Sequence, residues 1–213
     1  MGEQVDSLKS GDVLLFYHRD GLLSNAIRWA TGTWVSHVGV VIKNPPGYNG
    51  LFLIESSLEK THGIRGEPRF GVQIQPLHTV LPQYDQAWVR RLTPLQGGDC
   101  TNALWKAETP VDGEPYDWRP LDWIAAAIDN WAPNTVAVRK DDAFWCSALA
   151  AYLYIQLGYL SAAKVDWSLV SPGQWLEKGD REGCLEFTMC SLSPELRLDT
   201  ESYLSKRRGA GAD

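Results

Sequence analysis

The sequence predicts an α+β fold, and three features carry that prediction. Two short apolar runs, 37–42 and 51–55, flank a turn-rich stretch and read as an antiparallel hairpin. A third segment, Gly71 to Gln75, alternates apolar and polar residues as a half-buried strand does. A long run, AFWCSALAAYLYIQLG over 143–158, reads as a buried helix that Gly158 stops.

The remaining elements follow in chain order. GDVLLFY, 11–17, reads as a strand after a Ser-Gly-Asp turn. Apolar residues at 22, 23, 26, 27 and 30 have helical spacing, with Gly32 as the stop. NPPGYNG closes the hairpin, and a Gly-, Arg- and Glu-rich loop covers about 58–69. A short helix is expected at 77–83, a strand at 86–92 and a helix at 98–108. GEPYDW is a turn, and 120–131 is a helix with Pro120 in its first turn. On it Trp123, Ala127 and Trp131 share a face with Ile124 and Ile128, a pattern that core packing explains. No repeat or linker divides the chain, so residues 1–200 read as a single domain. Residues 201–213, with Lys206-Arg207-Arg208, read as a polar, disordered tail.

Composition narrows the function. The 213 residues are 44% hydrophobic and 22% charged, as in a globular protein with a sizeable core. A net charge of −6 argues against nucleic acid, whose phosphates need a positive surface. Four cysteines (100, 146, 184, 190) form no CxxC, and four histidines show no metal spacing, so no metal site is expected; catalysis by a cysteine would need no cofactor either. No run nears eighteen apolar residues, and the first twelve residues lack a signal-type apolar core. Met1-Gly2 is followed by Asp6, where a myristoylation motif wants Ser or Thr. The expectation is a cytoplasmic or intracellular protein, with peripheral membrane contact as its one route to a bilayer. Ten tryptophans fit a Trp-rich core, or an aromatic-lined cleft.

Cys146 stands at the front of the helical run within 143–158. Packing explains a buried cysteine there, since free Cys behaves as a small hydrophobe. Chemistry explains it too, since a helix N-terminus favours the nucleophilic thiolate. A catalytic cysteine needs a base and a group to orient that base. His37 opens an apolar strand, where an imidazole is costly without partners or a task. His18, His62 and His78 sit in polar, loop-like contexts, where a solvated histidine is ordinary. Glu55 ends the returning strand, and the start of one antiparallel strand lies beside the end of the other. His37 and Glu55 are thereby expected to be neighbours, with the carboxylate holding the ring.

In order along the chain come SGDVLLF, SHVGVVI, LFLIESS, GVQIQPL, GEPYDW and FWCSALAAYLYIQLG. Their order and spacing resemble the circularly permuted branch of the NlpC/P60 superfamily. That papain-like group includes the YiiX/YebB-type enzymes and the lecithin:retinol acyltransferase relatives. The resemblance spans about residues 8–175. It implies a permuted papain-like fold, an antiparallel sheet packed on the cysteine helix. It implies a cysteine-dependent amide or ester hydrolase or acyltransferase with Cys146 as nucleophile, His37 as base and Glu55 as orienting residue. Tyr116 in the GEPYDW turn, Trp145 and Trp34 are the expected substrate-binding residues. The substrate it implies is a peptide amide, γ-glutamyl links above all, or a lipid acyl group. Where relatives often carry Ser-Glu-Leu after the cysteine, this chain has Ser147-Ala148-Leu149. Asp141 and Asp142 can cap the helix or place negative charge near the thiol. Two other readings remain open: a binding module on the same fold, and a redox-sensing thiol.

Overall fold

The computed structural model of the protein describes residues 2–19, 24–25, 28–29, 32–66, 68–115 and 145–210. The expected 120–131 helix, Tyr116, Asp141 and Asp142 lie outside them. Of the helix expected at 22–30, residues 24–25 and 28–29 are described, and they are helical.

The main sheet has seven strands: β1 (Glu3–Gln4), β2 (Val13–Tyr17), β3 (His37–Lys43), β4 (Leu51–Thr61), β5 (Arg69–Pro76), β6 (Gln86–Arg90) and β9 (Leu196–Asp199). Their order across the sheet is β1-β9-β6-β2-β3-β4-β5, with only β1 and β9 parallel among these pairs. Strands β7 (Leu92–Pro94) and β8 (Cys190–Leu192) form a separate ribbon. The described α-helices are α1 (Leu77–Val80), α2 (Thr101–Glu108), α3 (Cys146–Gln156), α4 (Glu177–Arg181) and α5 (Thr200–Ala210).

Apolar packing covers both faces of the sheet. On the first, Val38, Val40, Ile42 and Ile54 meet α3. On the second, Phe16, Val41 and Leu53 meet Leu77, Val80, Leu198 and Tyr203. Helix α3 is apolar nearly all round, the pattern of a fully buried helix. It ends as its sequence predicts. Gly158 takes φ +72°, its N–H bonds Ile155 O at 2.9 Å, and Tyr159 N–H bonds Tyr154 O at 2.8 Å. This is the paired-bond stop that favours glycine at a left-handed position.

Three expectations need correction. Gly71–Gln75 is buried on both faces rather than half-buried, with Gln73 0% and Gln75 1% exposed. The second face is covered as well, where α1, directly after β5, packs against β4 and β5. Residues 200–210 are helical, not a disordered tail. Asp199 Oδ1 accepts from Ser202 N at 3.1 Å at the helix start, and Tyr203 is buried in the second layer. The loop expected from residue 58 begins later, because β4 continues to Thr61.

Gly39 sets the spacing of the β3–β4 pair. A Cβ there would stand 2.7 Å from Leu53 Cγ and 2.8 Å from both its δ carbons, and Leu53 is fully buried. Gly39→Ala is expected to cost about 1–3 kcal/mol by overpacking. The urea unfolding midpoint measures it, and an unchanged midpoint would show that Leu53 can retreat.

Candidate active site

The β3–β4 register pairs Val40 with Ile54 and therefore sets Gly39 opposite Glu55. His37 is then Glu55's diagonal neighbour on the same face, within reach of long side chains. Glycine at 39 leaves that diagonal open. His37 Nε2 lies 2.6 Å from Glu55 Oε2, and both residues are buried. The other carboxylate oxygen, Oε1, accepts from Gln75 Nε2. Tyr84 stacks on the imidazole, ring centroids 5.5 Å apart and planes within 13°. Phe16, paired with His37 across β2–β3, touches the ring at 5.7 Å.

Cys146 is the first residue of α3, which runs over β3 and β4. Its neighbours pin the helix start. Trp145 Nε1–H donates to Val170 O at 2.8 Å, and Ser147 Oγ–H donates to the same carbonyl at 2.6 Å. Trp175 Nε1–H donates to Ser147 O at 3.2 Å. No side chain of Trp145, the residue before the helix, caps the first turn. Cys146 lies close enough to His37 for charge on the sulfur to act on the ring. Since Nε2 is committed to Glu55, Nδ1 is the ring nitrogen left for sulfur.

Burial alone would push the His37 pKa down. Negative charge on Cys146, then the hydrogen bond and charge of Glu55, outweigh that and raise it to about 10. At neutral pH the ring is therefore an imidazolium. Two other thiols are held inert: burial, with Asp99 beside it, pushes Cys100 up to about 12. Burial and Asp180 push Cys190 to about 12 as well.

The fold thus brings together Cys146, His37 and Glu55. Trp34 and Trp145 are half-buried against the first core; Trp34 rests on Trp88, ring centroids 4.2 Å apart. Tyr116 lies outside the described residues. Sequence reasoning missed Gln75 and Tyr84. Gln75 was within reach of the same hairpin logic, since β5 continues the pairing from Glu55 to Gln73. Tyr84 sits between a short 3-10 turn and β6 and carries no local signal. Among the described residues, no three His, Cys, Asp or Glu side chains gather as a metal site needs. No helix among them is long and apolar enough to cross a membrane.

No protein-family model matches the chain. No curated protein matches it either. Among solved structures it is similar to the crystal structure of the metalloprotein yiiX from Escherichia coli O157:H7, with 18% identity over 88% of this chain and 97% of that one and a TM-score of 0.47.

Proposed function

We propose that the protein is a thiol hydrolase or acyltransferase of the permuted papain-like type, acting on an amide or ester through a Cys146–His37–Glu55 triad. The observation that carries the reading is the buried chain of contacts from thiol to imidazole to carboxylate at a helix start. Glu55 orients the ring through Nε2 and stabilises its charged form. In the resting pair the proton of Cys146 already sits on His37 Nδ1, and the sulfur attacks the substrate carbonyl carbon. The carbonyl oxygen becomes an oxyanion, for which backbone N–H groups in the first turn of α3 are natural donors. The C–N or C–O bond breaks, the leaving group takes the proton from His37, and a thioester remains on Cys146. Water or a second acceptor, deprotonated by His37, attacks the thioester and restores the thiol. The substrate class is a peptide amide or a lipid acyl group. A redox sensor would need a second thiol beside Cys146, whereas Cys100 and Cys190 group with Tyr159 beyond the other end of α3.

The test is competitive labelling. With limiting iodoacetamide at pH 6–7, Cys146 is expected to be alkylated well before Cys100, Cys184 and Cys190, as located by mass spectrometry. Cys146→Ala should abolish turnover of activated acyl esters. Labelling of Cys146 no faster than that of the half-exposed Cys184 would return Cys146 to a packing role.

A further inference from the structure

We propose that Gln75 is a positioning residue of this site: its amide holds the second oxygen of Glu55 and so fixes the carboxylate that orients His37. The proposal rests on the thiol-hydrolase reading above, and extends its triad by one residue.

Glu55 is 2% exposed, so water does not solvate its two oxygens. Oε2 meets His37, and Oε1 meets Gln75. An ionised carboxylate only accepts, so Gln75 must present its N–H to it. Gln75 is itself 1% exposed on β5, at a position where an apolar residue would bury without cost. The two partners reach Glu55 from opposite sides, one from β3 and one from β5. The groups facing this pair are Gln73 on β5, Phe16 on β2, Tyr84 before β6 and Cys146 on α3.

Hydrogen bonds to the charged form hold a buried carboxylate ionised. Without Gln75, Oε1 is left buried and unmatched, and the carboxylate is held less firmly against the ring. His37 then loses part of its counter-charge, and its imidazolium is less favoured.

The experiment uses the full chain with two substitutions. Gln75→Met keeps the length and removes the donor. Gln75→Asn keeps the amide and withdraws it by one methylene. The His37 ring is titrated by NMR, its signals assigned by comparison with His37→Ala. In parallel, the iodoacetamide rate at Cys146 is followed from pH 5 to 9. Both variants are expected to lower the His37 midpoint by about one pH unit, the scale of one charge-assisted hydrogen bond. They should also slow Cys146 labelling up to about tenfold on the acid limb of its profile. A packing role would move thermal stability and leave both pH profiles in place; that result overturns the proposal. If Gln75→Met does not fold, Gln75→Asn decides on the same two readouts. Wild-type labelling that ignores His37 would instead sink the hydrolase reading, while the ring titration would still report on Gln75.

Discussion

His37→Ala is expected to slow alkylation of Cys146 at pH 6 by about 100-fold. An ordinary thiol, with a pKa of about 8.5, is less than about 1% ionised at that pH. An imidazolium against the sulfur favours the thiolate, and His37 is held in that form by its contacts with Cys146 and Glu55. The gain is somewhat smaller than the ionised fraction implies, because a less basic thiolate is also a weaker nucleophile. Above about pH 9 the two proteins should converge, as an ordinary thiol ionises unaided. A constant ratio across the whole range would mean that alanine had changed access to the sulfur rather than its charge.

The same contacts make folding depend on pH, and the sign is fixed. The folded pKa of His37, about 10, stands above the ordinary 6.5. The folded state therefore binds a proton that the unfolded chain has released between those values. The stabilisation is complete below about pH 6.5 and is lost as pH rises through about 10. Urea unfolding midpoints of the wild type should fall mainly in the upper part of this window, above about pH 8.5, where the unfolded thiol has also released its proton. His37→Ala should remove most of that slope, and Glu55→Gln should shift it toward lower pH.

The hairpin and the cysteine helix were legible in the sequence because each carries its own signal. Residues 37–42 are β-branched and apolar beside a Pro-Gly turn, and Ala- and Leu-rich 146–156 ends at Gly158. From the hairpin alone it followed that His37 and Glu55 meet, since antiparallel pairing sets one strand's start beside the other's end. The burial of Gln73 and Gln75 was not legible. It depends on tertiary packing, α1 lying against β4 and β5, which the strand's own alternation does not announce. Strand β9 has four residues and β1 has two, too short for a periodicity to register. Tyr84 reaches His37 through the path of a turn, and turns do not advertise where their side chains land.

Asp180→Ala is expected to cost about 3 kcal/mol, the lower end for breaking a buried ion pair, which in a domain of this size is roughly 6–12 °C in Tm. Arg90, on β6, is fully buried. Its Nη1 donates to Asp180 Oδ1 at 3.1 Å and to Trp175 O at 3.0 Å, its Nη2 to Asp180 Oδ2, and its Nε to Ser193 O at 2.7 Å. Without the carboxylate, the guanidinium keeps carbonyl partners but no counter-charge. Asp180 is 28% exposed, so water softens the loss. Asp180→Asn, which still offers an oxygen, should cost less. The effect should also reach the site, because the segment that Arg90 anchors carries Trp175, whose indole holds Ser147 O beside Cys146. Hydrogen exchange should quicken first in 172–181 and at the start of α3, and Cys146 labelling should slow with it. An unchanged Tm would show that the backbone carbonyls alone hold Arg90. A lower Tm with unchanged labelling would show that Val170, through Trp145 and Ser147, fixes the helix start without help from Trp175.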